Sequence, residues 1–213
     1  MFIASSVRRM ANTAMIAGGL LASSAVAANA QSVGAPSPLD FLGNGSVVSV
    51  RFIGSQAADQ STLAYKIGGT YNSGSYMDLF TNNGITPPGT EMSLGSVSAG
   101  TAIYFRLTNS AQGGPANANF VFYSGAASRN TDNALHVAVG TGSGTAAIGG
   151  GTYTTSFNFE DRSGTVAPIS DFDYNDLRFE IANATTVPEP STYALMASGL
   201  LALGVAARRR RRV

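Results

Sequence analysis

An all-β fold, an antiparallel β-sandwich of jelly-roll-like type, is what the sequence predicts for residues 31–187. Short runs rich in valine, isoleucine, phenylalanine, tyrosine and threonine recur between clusters of glycine, asparagine and proline. Those clusters read as turns, because their residues supply left-handed or fixed backbone angles. The 3.6-residue periodicity of an amphipathic helix is missing across the same stretch. Alternation completes the case: in residues 48–52 and 103–107, Arg51 and Arg106 stand opposite their apolar neighbours, as in strands with one buried face.

Taken in order, the expected strands are 47–53, 63–67, 76–80, 91–97, 101–108, 120–123, 135–139, 153–159 and 177–181. Turn signals fall between them at Gly68-Gly69, Asn82-Asn83-Gly84, Pro87-Pro88-Gly89, Ala99-Gly100, Gly113-Gly114-Pro115 and Gly149-Gly150-Gly151. Short strands at this spacing, in a segment of 157 residues, fit one domain with a real core. No internal repeat points to a solenoid or propeller. The run Gly140-Thr141-Gly142-Ser143-Gly144 has the composition of a phosphate-binding loop, but no Lys-Ser/Thr pair follows it. It reads as a polar hairpin loop.

Composition removes several function classes. The chain has no cysteine and one histidine, so disulfides, thiol nucleophiles, cysteine-built zinc sites and multi-histidine metal centres are excluded. Its net charge of +1 hides three unlike segments. Residues 31–187 carry six basic and eleven acidic side chains, whereas both ends are basic. Nucleic-acid binding needs clustered cations, and this core has the opposite sign, so no nucleic-acid partner is expected.

The basic ends read as addresses. Residues 1–30 combine Arg8-Arg9, a short apolar middle and a small-x-small ending at Ala28 and Ala30, the pattern of a signal peptide handled by the secretion translocon and signal peptidase. Residues 188–213 open on Pro188-Glu189-Pro190, continue through a charge-free stretch at 191–207, and end in Arg208, Arg209, Arg210, Arg211 and Arg212 before Val213. A transmembrane helix is expected over 191–207; it spans roughly 25 Å at ~1.5 Å per residue, the short end for a crossing, and arginines that snorkel to the interface close the shortfall. The arginines would keep the C-terminus on the cytoplasmic side of the inner membrane and the core outside.

Val187-Pro188-Glu189-Pro190, one apolar span and a terminal arginine cluster resemble the PEP-CTERM sorting signal of Gram-negative bacteria. The resemblance implies processing near Pro188-Glu189-Pro190 by exosortase, an integral-membrane cysteine transpeptidase, after a membrane-anchored intermediate. It also implies delivery to the cell surface or the extracellular matrix. It gives an address rather than an activity.

Within the core, the segment 157–181 is chemically distinctive. Glu160, Asp161, Asp171, Asp173 and Asp176 fall there with Asn175, and Arg162 is the one basic residue between Glu160 and Asp176. With strands expected on either side, the segment forms a long hairpin connection that brings both acidic groups to one edge. Oxygen-only ligands suit a hard cation, and a flexible loop suits calcium better than magnesium. Asp171-x-Asp173-x-Asn175 repeats the first half of an EF-hand loop, but Asp176 occupies the glycine position and Ala182 the bidentate glutamate position. A helix-loop-helix switch is therefore excluded. Asp and Asn equally cap turns in water by accepting nearby backbone N–H groups, so a metal-free hairpin is the competing expectation.

Phe159-Glu160-Asp161 followed by Asp171-Phe172-Asp173-Tyr174-Asn175-Asp176-Leu177-Arg178-Phe179 resembles the C-terminal signature of the DUF4114 domain. That domain is a β-rich bacterial extracellular module, and the resemblance implies a sandwich with a metal-supported hairpin. The approach to the second cluster, Thr165-Val166-Ala167-Pro168-Ile169-Ser170, departs from the usual glycine-rich form.

No catalytic role is expected. His136 reads as a strand residue, no serine sits in a Gly-x-Ser-x-Gly elbow, and the chain lacks the tryptophans that commonly build sugar platforms. Paired carboxylates at glycosidase spacing keep a glycan hydrolase as the weakest alternative. Tyr65, Tyr71, Tyr76, Tyr123 and Tyr153 supply the basis for a carbohydrate-binding module. The leading expectation is an exported structural or adhesive protein of the exopolysaccharide matrix or biofilm.

Overall fold

The computed structural model describes residues 36–110, 120–165, 169–188, 196–203 and 208. The expected signal peptide, with Ala28 and Ala30, lies outside the described residues. Eleven strands are described: β1 (Leu39–Gly43), β2 (Val47–Gly54), β3 (Gln60–Ile67), β4 (Met77–Thr81), β5 (Glu91–Ser96), β6 (Ala102–Ser110), β7 (Phe120–Tyr123), β8 (Val137–Thr141), β9 (Thr155–Phe159), β10 (Leu177–Ala182) and β11 (Ala184–Pro188). They form two antiparallel sheets. One runs β11-β1-β6-β3-β4, with β7 also on β6, and the other runs β5-β2-β10-β9-β8.

The sheets meet through aromatic side chains. Phe41 on β1 sets its ring edge-on against Phe157 on β9, centroids 4.4 Å apart, and Phe105 on β6 meets Phe179 on β10 at 4.8 Å. All four rings are buried, beside Leu63, Ile103, Leu107 and Leu177. Apolar burial of this kind is the dominant favourable contribution to folding. The alternation read from the sequence holds: on β6, Ile103, Phe105 and Leu107 point inward while Tyr104 and Arg106 face outward. Arg51 lies outward on β2 and donates from Nε to Glu180 on β10 at 2.9 Å.

Several boundaries differ from expectation. The strand expected at 76–80 is Met77–Thr81, the one at 135–139 begins only at Val137, and the one at 153–159 begins at Thr155. Tyr153 thus precedes β9, where it is fully buried under the Arg51 guanidinium. β1 and β11 are additional strands, paired with each other over five positions from Leu39 opposite Pro188 to Gly43 opposite Ala184. Neither carries a long alternating run, and each gains its hydrogen bonds from a partner far away in sequence.

The span expected at 191–207 falls partly outside the described residues. Residues 196–203 are helical with every side chain exposed, and among the described residues no helix is long and apolar enough to cross a membrane.

β11 is the outer strand of its sheet and ends at Pro188, a residue well suited to terminate a ladder because it has no N–H to donate. A chain ending at residue 190 should therefore melt like the longer protein. One ending at residue 183 strips β1 of its outer partner, and its midpoint should fall by roughly 5–10 °C, equivalent to ~2–3 kcal/mol for a domain of this size. Circular-dichroism melts of the two truncations check this.

Candidate metal centre and sorting motif

β9 and β10 form the two arms of an antiparallel hairpin, with Phe159 opposite Leu177. The connection 160–176 accordingly leaves and re-enters at one end of the sheet, as the strand reading required. Glu160 and Asp161, the first residues beyond β9, are each 1% exposed. The Glu160 backbone N–H donates to the His136 carbonyl at 3.0 Å. The Asp161 N–H donates to Asp176 Oδ2 at 2.9 Å, Ser61 Oγ donates to Asp161 Oδ2 at 2.7 Å, and Asn109 Nδ2 donates to the Asp161 carbonyl at 2.8 Å.

The second acidic group is open to solvent. Asp171 and Asp173 are exposed, and Asp173 Oδ1 accepts the Asn175 N–H at 3.1 Å. Asn175 also donates from Nδ2 to Asp173 Oδ2, and its carbonyl accepts the Gln56 N–H at 3.0 Å. Phe172 and Tyr174 both take left-handed backbone angles, φ 54° and 53°, unusual for aromatic residues. Two contacts hold them there. Tyr174 is buried and donates its hydroxyl to the Leu135 carbonyl at 3.0 Å, while the Phe172 ring lies over Gly164, where a Cβ would come within 2.7 Å of it.

Between this hairpin and the β2–β3 connection at Gln56 and Ala58 lies a cleft of about 330 Å³, lined by Glu160, Asp171, Asp173, Asn175 and Asp176. One oxygen from each of Glu160, Asp161 and Asp176 lies within 4.8 Å of the others, and so does one from each of Glu160, Asp171 and Asp173. All six residues singled out in the sequence therefore converge at one end of the sheet. Asp161 does not line the cleft, and its carboxylate accepts from Ser61 on β3 instead.

Burial, followed by the neighbouring Asp176 carboxylate, pushes Glu160 up to about 8 and Asp161 up to about 7. Burial likewise raises Asp173, with the charges of Asp171 and Asp176 adding to it. Near neutral pH the Glu160 and Asp161 carboxyls therefore favour a shared proton or a nearby cation. Turn chemistry accounts for Asp173 and Asp176, each of which accepts a backbone N–H. It leaves Glu160 unexplained, because its Oε2 is buried without a hydrogen-bond partner. An anionic oxygen among the carboxylates of Asp171, Asp173 and Asp176, in a cleft that Arg162 and Ile169 also line, fits a hard cation such as calcium.

Two supporting residues, Asp59 and Asp132, escaped the sequence reading, and His136 is not the strand residue expected. Asp59 receives Arg162 Nε at 3.0 Å and Asn109 Nδ2 at 3.2 Å, which draws the neighbouring guanidinium onto β3's approach. Burial raises the Asp59 carboxyl, and those hydrogen bonds more than offset it, leaving it below the usual value. Asp132 accepts from His136 Nε2 at 3.0 Å and from the Gly164 N–H at 3.0 Å, clamping the far side of the acidic loop. His136 lies outside β8, fully buried, with its ring stacked on Phe122 at 3.7 Å and Nδ1 3.1 Å from the Glu160 carbonyl. Both ring nitrogens face oxygen acceptors, which favours the imidazolium, but burial dominates and lowers its pKa. No spacing rule connects Asp59 or Asp132 to residues about 30 to 100 positions later.

At the C-terminal end of the core segment in sequence, Pro188 closes β11; Glu189, Pro190 and Arg209 to Arg212 lie outside the described residues, while Arg208 is helical and exposed. The PEP-CTERM protein-sorting motif matches residues 186–212. The chain carries a PEP-CTERM sorting signal. That signal marks an exported surface protein processed by exosortase after a membrane-anchored intermediate. The match overlaps the last three residues of β11, which ends at Pro188, so removal of the PEP-CTERM tail beyond Pro190 takes no strand with it. Neither the comparison with curated proteins nor that with solved structures gives a match.

Proposed function

We propose that this PEP-CTERM protein serves a structural or adhesive duty at the cell surface or in the extracellular polysaccharide matrix, with a DUF4114-like core whose acidic hairpin is held by calcium. The observation that carries the calcium reading is the buried, unpartnered Oε2 of Glu160, a residue that lines a cleft of carboxylates. Extracellular modules bind calcium at roughly 0.1–1 mM, so a partly open shell is adequate outside the cell. The cation closes the loop between β9 and β10 and removes the repulsion among its carboxylates. The protein acts by binding and not by catalysis.

Melting of the exported protein with calcium and with chelator tests this. Calcium at about 100 times its Kd adds ~2.7 kcal/mol, which corresponds to a rise of roughly 5–10 °C in the midpoint. Asp173→Ala should shrink that rise. An identical midpoint in calcium and chelator would sink the calcium reading.

A carbohydrate-binding role is the second reading, and one cluster favours it. Tyr71 and Tyr76 lie 5.1 and 6.2 Å from Tyr123, and Arg106 stacks over Tyr76 at 4.5 Å. Two of the five tyrosines singled out in the sequence leave the candidate set, since Tyr65 and Tyr153 are buried in the core. Retention on an immobilised polysaccharide, lost in Tyr123→Ala, distinguishes this role from a purely structural one.

A further inference from the structure

We infer that the acidic cleft holds two cations side by side, bridged by Glu160. This rests on the calcium reading above and goes beyond it in number, place and order of filling. The two carboxylate triads share Glu160 and nothing else: Asp161 and Asp176 complete one, Asp171 and Asp173 the other. Within each triad the three oxygens lie no more than 4.8 Å apart, the span across a calcium ion whose ligands stand at about 2.3–2.6 Å. The two sets point to separate positions, because Asp161 is fully buried toward Ser61 and does not line the cleft, while Asp171 and Asp173 are exposed and do. A carboxylate has two oxygens, and Glu160, at the junction and with Oε2 unpartnered, is the residue placed to serve both ions. Bridged metal pairs of this kind sit about 3.5–4 Å apart.

Charge supports the same count. The five carboxylates between Glu160 and Asp176 face one basic residue of the loop, Arg162, which is already paired with Asp59. A single divalent cation leaves most of that negative charge uncompensated in a partly buried site, and a second brings the cluster close to neutrality. The two positions differ in kind. The inner one is enclosed and strips its cation of water; the outer one opens to solvent and keeps water on it. The inner position therefore fills first, and the outer fills at higher calcium.

Equilibrium dialysis of the full chain in detergent against radioactive calcium, with near-ultraviolet circular dichroism to verify folding, tests the count. Two ions per chain are expected in the wild type. Asp173→Asn should retain one ion, lost from the weaker step, and Asp161→Asn should retain one, lost from the tighter step. Asp173 is exposed, so its variant folds whether or not Asp161→Asn does. One ion in the wild type that disappears in Asp173→Asn would overturn the paired site and leave the calcium reading standing. No bound calcium in the wild type would overturn both.

Discussion

In chelator, the protein becomes less stable as the pH rises from 5 to 8.5. Glu160 and Asp161, pushed up to about 8 and about 7, hold protons in the folded state that an unfolded chain has already released. Where the folded state binds more protons than the unfolded one, stability falls with rising pH. The contribution of these two carboxyls is complete below their ordinary values near 4 and is lost as the pH passes through their raised ones. His136 opposes this trend below its ordinary value of 6.5, because burial lowers its pKa and deprotonation then favours folding. It is one group against two, and above that value it no longer contributes a slope. The Asp59 and Asp132 carboxyls, both held below their usual range, matter only at lower pH. The steepest loss therefore lies between about pH 6.5 and 7, where both carboxyls act unopposed, and it continues more weakly to about pH 8, with a total fall in midpoint on the order of 10 °C. Saturating calcium displaces the same protons, so the slope should flatten. Melts at half-unit pH steps with and without calcium decide it; a midpoint that rises with pH in chelator contradicts the buried-carboxyl assignment.

The residues that create this behaviour were legible as a cluster, while their burial was not. Five carboxylates within one hairpin connection are visible in the sequence because hairpin arms are neighbours by construction. That Glu160 and Asp161 are both enclosed is not, since adjacent residues of an extended chain are expected to face opposite ways. Their enclosure comes from groups on other elements: Ser61 on β3, Asn109 on β6 and the His136 carbonyl. The fold shows the same division. β2, β6 and β10 announced themselves by alternation and apolar content, whereas β1 and β11 exist because each pairs with the other across about 140 residues of chain. Their ladder places Pro188, the first residue of Pro188-Glu189-Pro190, at the end of β11, a relation that no local pattern encodes.

Glu160→Gln separates the cost of the buried charge from its use. The amide keeps the size of the side chain and removes its ionisation, so in chelator at pH 8 the variant should melt above the wild type, by roughly 5 °C if relief of one strongly disfavoured ionisation dominates. An amide oxygen still accepts from neighbours, and its NH₂ can donate to Asp171, Asp173 or Asp176, which an ionised Glu160 cannot do. In calcium the ranking inverts. The variant lacks the anionic side chain that lines the cleft, its calcium-induced rise collapses, and the wild type overtakes it. A structural hairpin that never meets a cation predicts the first half of this behaviour without the second, because the gain from neutralising Glu160 would then be the same in chelator and in calcium. Crossing of the two melting curves as calcium is added is thus evidence for a ligand, and parallel curves are evidence for turn chemistry alone. The crossing point, read as a calcium concentration, reports where the binding free energy of the cation equals the stability that Glu160 forfeits by staying charged.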